Sequence, residues 1–137
     1  MVIYAVIGTK GGIGKTTLSA HFGSLVAAMG LRVLLVDVDI QASLSKFFVL
    51  KDKAELGITS IFQTGMVSEQ AISTTVWPGL DIILSDAPER AVSSGDGSDL
   101  ERLLQNRMDL PMILYRALHS PLIEELYDLV VIDTPGV

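Results

Sequence analysis

The sequence predicts an α/β fold, a parallel sheet flanked by helices, and three observations predict it. Four short runs, residues 2–7, 32–36, 80–85 and 128–133, are almost unbroken in apolar residues, as strands covered on both faces of a parallel sheet are. Between the first of these and an amphipathic run lies the glycine-rich stretch Gly8-Thr9-Lys10-Gly11-Gly12-Ile13-Gly14-Lys15-Thr16-Thr17. The second and fourth runs end in acids, Asp37 and Asp133. In open α/β sheets the carboxyl ends of the strands line the ligand crevice.

Taken in order, residues 2–7 read as a buried strand. A helix begins near Lys15 and carries Leu18, Phe22, Leu25, Val26 and Met29 at helical spacing, and Gly30 ends it at the favoured position after the last turn. The strand at 32–36 runs into Asp37-Val38-Asp39-Ile40-Gln41. A short helix is expected over 42–50 and another over 59–64, after Gly57. Residues 71–77 form a short extended piece, and Trp77 is a packing residue. The third strand is 80–85. A polar, glycine-rich loop at 93–99 precedes a helix from Ser98 to about Asn106, since Ser98 and Glu101 have capping-box spacing. A further helix begins near Asp109 and includes 112–118, and Ser120-Pro121 restarts it, with proline tolerated in a first turn. The fourth strand is 128–133. Connections between parallel strands are right-handed crossovers.

The chain has 137 residues, which suits one domain with one core. Hydrophobic residues make up 49% and charged residues 19%, so it is not of disordered composition. There is no cysteine, hence neither a disulfide framework nor a thiolate metal site. No run of apolar residues is long enough for a membrane span, Met1 leads directly into the first strand without a signal peptide, and a cytoplasmic protein is expected. The net charge is −6. Apart from Lys10 and Lys15 the one loose basic group is Lys46, Lys51 and Lys53, which is not the basic face of a nucleic-acid binder.

The glycine-rich stretch has the residue types of a phosphate-binding loop. Gly11, Gly12 and Gly14 have no Cβ, so the backbone can curl and aim N–H groups at phosphate oxygens. The helix that follows adds its positive end. Lys15 supplies charge for the terminal phosphates and Thr16 a hydroxyl for Mg²⁺. The spacing differs from the ordinary loop, in which Gly and four residues precede Gly-Lys-Thr; residue 9, where that Gly would stand, is Thr, and an additional lysine, Lys10, lies five residues before Lys15.

Residues 10–17 resemble the deviant Walker A motif of the ParA/MinD family of ATPases, whose signature residue is the early lysine, here Lys10. Asp37-Val38-Asp39-Ile40-Gln41 is similar to the family's Asp-x-Asp-Pro-Gln, with Ile40 in place of proline. Asp133 resembles the Walker B acid, and Thr134-Pro135-Gly136 the switch after it. The resemblance implies a P-loop NTPase-like sheet with the strands in the order third, second, fourth, first. It covers the whole sequence but only about the first half of the family domain, so the expectation is a single ATPase domain over 1–137, the amino-terminal portion of the family domain, truncated after the Walker B strand.

The function the resemblance implies is an ATP-binding and hydrolysing dimerisation switch for the partition of plasmid, chromosome or mobile-element DNA. The catalytic residues would be Lys10, Lys15 and Asp39, with Lys10 reaching the partner's phosphates and Asp39 positioning water. The nucleotide would be held by Lys10, Gly11, Gly12, Ile13, Gly14, Lys15, Thr16 and Thr17, and Mg²⁺ by Thr16, Asp37 and Asp133. Implied partners are a second copy bound in an ATP-dependent homodimer and a protein that stimulates hydrolysis. Non-specific DNA would be bound through regions outside this sequence, with nucleoid association of the full-length protein and no membrane. Alternatives are a MinD-like localisation ATPase, a ligase of the cobyrinic-acid or dethiobiotin synthase kind, which Lys10 argues against, and a non-hydrolysing nucleotide-binding or scaffold fragment. The iron protein of nitrogenase is excluded because it needs cluster cysteines.

Overall fold

Six strands form one sheet among the residues that the computed structural model describes, 1–7, 13–86, 99–106 and 108–134. In chain order the elements are β1 (Val2–Val6), α1 (Ile13–Ala28), β2 (Val33–Asp37), α2 (Ser43–Phe47), β3 (Leu50–Asp52), α3 (Ile58–Thr64), a 3₁₀ turn at Glu69–Ala71, β4 (Ser73–Thr75), β5 (Leu80–Ile83), α4 (Asp99–Asn106), α5 (Leu110–Leu118), α6 (Pro121–Leu126) and β6 (Leu129–Asp133). Across the sheet the order is β1-β6-β2-β5-β4-β3. β1, β6, β2 and β5 are mutually parallel, while β4 is antiparallel to β5 and β3 antiparallel to β4. The expected order of the four long strands holds, and two short strands extend it beyond β5.

The two central strands are fully buried, which explains their apolar runs. Leu34 and Val36 of β2 and Val130 and Ile132 of β6 face a core built with α3, α4 and α5. Their alternates Val33, Leu35, Leu129 and Val131 face Ala20 and Ala27 of α1. The period of two thus sends successive residues to opposite, equally dry layers.

The apolar residues at helical spacing in α1 divide: Phe22 and Val26 pack against the core on this side of the sheet, whereas Leu18 is 59%, Leu25 62% and Met29 71% exposed. The face against the sheet carries Lys15, Ser19, Ala20, Gly23 and Ala27. A Cβ on Gly23 would come within 2.7 Å of Leu35 Cδ2, so small residues on this face set the close helix–sheet distance. Phe22 also lies beside β1, where the Tyr4 ring meets it edge-on at 5.7 Å. β1 is a sheet edge without a charged residue, whereas the opposite edge, β3, exposes Lys51 and Asp52. On the other face of β1 an apolar cavity of about 620 Å³ is lined by Ile3, Ala5, Phe62 and Leu114.

The helix expected over 42–50 ends at Phe47; Phe48 is extended, and Leu50–Asp52 pairs with β4. The run Phe48-Val49-Leu50 is rich in strand-forming residues, and the free edge of β4 captures it. Gly30, with φ +94°, ends α1 as expected. Trp77 is 42% exposed and is not the packed residue expected. Ser98 of the proposed capping box, the loop at 93–98, and Lys10, Gly11, Gly12, Pro135 and Gly136 lie outside the described residues. Among the described residues, no helix is long and apolar enough to cross a membrane.

Candidate nucleotide and metal site

The carboxyl ends of β2 and β6 and the first turns of α1 meet at one point. Asp37 and Asp133 close these two strands in the same register, paired across the ladder, and both are fully buried. α1 begins at Ile13, so Gly14, Lys15, Thr16 and Thr17 occupy its first turns, where backbone N–H groups have no partner within the helix.

Lys15 lies along the floor of this site. Its Nζ donates to Asp133 Oδ1 at 2.6 Å and to the Thr134 carbonyl, and is 4.0 Å from Asp39 Oδ2. The lysine side chain is 5% exposed and that of Asp133 0%. Thr16 Oγ1 donates to the other oxygen of Asp133 at 3.2 Å. Ser19, one turn on, donates to the Lys15 carbonyl at 3.0 Å and lies 3.4 Å from Asp133 Oδ1. Thr134 ties the strand end to β1 through its hydroxyl, 2.7 Å from the Val6 carbonyl. Asp133 is therefore held by one ammonium and two hydroxyls, all from α1.

Asp37 is held differently. Its Oδ1 accepts from the Asp39 N–H at 3.1 Å, and its Oδ2 from the N–H and hydroxyl of Ser45 at 2.9 and 2.6 Å. The Ser45 hydroxyl oxygen in turn accepts from the Ser85 N–H at 2.8 Å, linking the ends of β2 and β5. Burial pushes the Asp37 carboxyl up to about 6; the Ser45 and Asp39 hydrogen bonds oppose the shift and the nearby Asp133 adds to it. Asp39 Oδ1 caps its own turn by accepting from the Gln41 N–H at 3.1 Å. Ala42 closes that turn in the left-handed region, φ 57°, which favours glycine.

The structure thus brings Lys15, Thr16, Asp37, Asp39 and Asp133 together, with Ile13, Gly14 and Thr17 in the same helical turns. Ser45 and Ser19 were not singled out by sequence; each stands in no motif, and only the folded strand ends place them on the acids. Thr134 stands in the expected switch after the strand and bonds Lys15 through its carbonyl. Among the described residues there is no group of three His, Cys, Asp or Glu side chains that would hold a metal by themselves. The donors fit Mg²⁺ all the same: it takes one or two carboxylates, keeps waters and shares phosphate oxygens, and here a hydroxyl, Thr16, and a carboxylate, Asp133, already converge. Asp37 stands beside them in register, with both oxygens turned to protein N–H and O–H groups.

Comparison with known proteins agrees with this geometry. The AAA domain family matches residues 1–137. The chain is 32% identical over 143 residues to a putative replication protein A of Rhizobium rhizogenes, covering 97% of this chain and 34% of that protein. It is 34% identical over 121 residues to the chromosome partitioning protein ParA of Caulobacter vibrioides, covering 81% and 42%. With the sporulation initiation inhibitor protein Soj of Bacillus subtilis it shares 32% over 134 residues, covering 97% and 49%. Among solved structures, a cobyrinic acid a,c-diamide synthase from Mycobacterium smegmatis with bound ATP analogue and magnesium superposes with TM-score 0.74 at 28% identity, covering 97% of this chain and 50% of that one. The cell division ATPase MinD of Pyrococcus furiosus superposes with TM-score 0.67 at 25% identity, covering 98% and 50%. The chain spans a third to a half of the length of these curated relatives. With the AAA domain matched over its whole length and a lysine, a hydroxyl and two strand-end acids converging in one site, the chain belongs to the ParA/MinD-type P-loop ATPases and corresponds to their amino-terminal part.

Proposed function

We propose that this chain carries the ATP- and Mg²⁺-binding half of a dimerisation switch used in the partition of plasmid, chromosome or mobile-element DNA. The observation that carries the reading is the convergence of Lys15 and Thr16, from the start of α1, on Asp133 at the end of the neighbouring parallel strand, with Asp39 4.0 Å from the Lys15 ammonium. Ile13 to Thr17 would receive phosphate at the helix N-terminus, together with Lys10, Gly11 and Gly12. Lys15 would neutralise the terminal phosphates. Thr16, Asp133 and Asp37 would hold Mg²⁺, which when bound draws charge from the phosphate oxygens. Asp39 would orient the attacking water, and Lys10 would supply charge to the second subunit's site, as an arginine finger does.

Switching would depend on a second copy bound in the presence of ATP, on a partner protein that stimulates hydrolysis, and on non-specific DNA bound by regions beyond this sequence, in the cytoplasm at the nucleoid. A MinD-like localisation role is the second reading, favoured by the superposition on MinD.

Calorimetry with ATP and Mg²⁺, and phosphate release, test the enzyme reading. Lys15→Ala is expected to lose binding, while Asp39→Ala binds but turns over slowly, because its role is with water and not with the ground-state phosphates. Light scattering tests the switch. Lys10→Ala should bind ATP as a monomer yet fail to dimerise; if it dimerises as the wild type does, an ordinary P-loop enzyme is the better reading.

A further inference from the structure

The two edges of the sheet are built unlike each other. The β3 edge exposes Lys51 and Asp52, charges of the kind that keep strands from pairing. β1, Val2-Ile3-Tyr4-Ala5-Val6, has neither charge nor proline, and among the described residues it pairs with β6 only. At the two ends of that ladder the Val2 N–H donates to the Asp128 carbonyl and the Val6 carbonyl accepts from the Thr134 N–H. Backbone groups alternate sides along a strand, so residues 2, 4 and 6 face β6, and the N–H and C=O groups of Ile3 and Ala5 point away from it.

Apolar side chains flank this edge on both faces of the sheet. On one, Ile3 and Ala5 line the apolar cavity together with Met108, Pro111 and Tyr115; Met108 is 99% and Tyr115 56% exposed. On the other, Tyr4, 52% exposed, stands edge-on to Phe22 of α1. The exposed halves of these two tyrosines offer about 150–250 Å². With Val2, Ile7 and Met108, also exposed, the apolar surface approaches the ~800 Å² that each side of a stable interface buries.

We propose that β1 is a self-pairing edge: two copies of this chain join through it, antiparallel, into one continuous sheet, with no nucleotide required. The occupant is a second copy because the edge is complementary to itself. Half a turn about an axis normal to the sheet sets Tyr4 opposite the partner's Tyr4 and Ile3 opposite the partner's Ala5, a register that uses the whole of β1. Ile3 and Ala5 then exchange N–H···O=C bonds across the seam, and the two Tyr4 residues form the pair without hydrogen bonds, where side chains come closest. The same rotation keeps like faces together, so the two cavities face each other over the seam. The contact is isologous and closes at two copies, with the charged β3 edges left outside it. It is distinct from an ATP-dependent pairing and does not rest on the nucleotide reading.

Sedimentation equilibrium of the 137-residue chain, without nucleotide or Mg²⁺, is expected to give twice the 14.7 kDa of one copy. Tyr4→Lys and Tyr4→Glu each place like charges at the axis and should each weaken the dimer about tenfold or more. Mixing the two variants should restore a dimer with one copy of each, which also shows that both fold. Ala5→Pro removes an outward N–H and no bond to β6, and should leave a single copy, folded by circular dichroism. The wild type gives a test that needs no variant: amide exchange at Ile3 and Ala5 should slow as protein concentration rises, while exchange at Lys51, on the opposite edge, stays unchanged. A single copy at every concentration, masses that grow past two, or a dimer indifferent to the Tyr4 and Ala5 variants overturns the proposal. So does a chain that is monomeric alone and takes only a different protein at β1.

Discussion

Asp37 and Asp133 occupy the same place in the architecture. Each ends a central parallel strand, they pair across the ladder, and neither is accessible to solvent. Their partners are of different kinds. Among the described residues, Asp133 has a lysine ammonium at 2.6 Å, and Asp37 has only N–H and O–H dipoles, from Ser45 and Asp39. A buried carboxylate with a cation keeps its charge through Coulomb attraction, and one with dipoles alone does so at a cost that burial sets. The Asp37 carboxyl, pushed up to about 6, shows the second case. The contrast teaches that strand-end position fixes where an acid stands, and the neighbouring helix fixes what partners it: α1 brings a lysine, α2 brings a serine.

The largest effect should come from breaking the cationic side. Lys15→Met leaves Asp133 buried without its ion, which costs about 3–5 kcal/mol. Lys15→Met combined with Asp133→Leu removes both charges and should recover most of that loss, because a buried pair replaced by apolar residues of similar volume is often neutral. Urea denaturation of the two single variants and the double one measures the coupling. A double variant no more stable than either single one would show that the pair is held by its surroundings rather than by its own attraction.

The next effect belongs to Asp37 and is one of pH. Its folded value, about 6, lies above the ordinary aspartate value of about 3.9, so the native state binds the proton more tightly than the unfolded chain. Its contribution to stability is complete below about pH 4 and is lost as pH rises through about 6, staying lost above. The difference is worth about 3 kcal/mol. Asp37→Asn cannot ionise, so its stability should lack that component of the decline between pH 4 and 6, seen in urea midpoints taken across the range. A variant whose stability falls with pH as steeply as the wild type's would place the titration elsewhere and erase the contrast with Asp133.

Ser45→Ala should be smaller and should sharpen the comparison. It removes the hydroxyl that donates to Asp37 at 2.6 Å and accepts from the Ser85 N–H, for a loss of about 1–3 kcal/mol with a buried donor left unsatisfied. Since that bond favours the ionised form, the carboxyl should move further up, and carbon-13 NMR of Asp37 against pH would show a higher midpoint. An unchanged midpoint would mean that the Ser45 and Asp39 N–H groups alone hold the charge.

Much of this site was legible because its parts are local signals. An apolar run that stops at an acid marks a strand end, which located Asp37 and Asp133 and, with the parallel order, their nearness. Lys15 and Thr16 were legible as the start of a helix after a glycine-rich loop. The Lys15–Asp133 bond, across 118 positions, could be inferred only as a role shared with a ligand, since the direct contact depends on how close α1 lies to the sheet. That closeness comes from Ser19, Ala20, Gly23 and Ala27, small residues that carry little hydrophobic signal. Helical spacing found the helix, but not that Leu18, Leu25 and Met29 within it are exposed. Ser45 was invisible because a serine eight positions after an acid matches no spacing rule; α2 and the turn closed by Ala42 bring it back. Strand β3 was missed because pairing with β4 overrode a helical reading of 42–50.

The smallest change is at Thr16. Its hydroxyl donates to Asp133 Oδ2 at 3.2 Å while Lys15 holds Oδ1. Thr16→Val keeps the branched shape in the helix, so it removes the hydroxyl with little alteration of packing. The carboxylate retains its ammonium and the Ser19 hydroxyl, so the stability loss should be about 0.5–1.5 kcal/mol, the net worth of one hydrogen bond, well below that of Lys15→Met. Its effect on metal should be disproportionate, because Thr16 and Asp133 would be two of the few protein oxygens offered to Mg²⁺ in the proposed site. ATP affinity measured with Mg²⁺ should fall while affinity measured with chelator present stays unchanged. A fall of equal size under both conditions would assign the Thr16 hydroxyl to the phosphates instead. A stability loss as large as that of Lys15→Met would show that Asp133 is held by hydroxyls as much as by charge, and would make it resemble Asp37 after all.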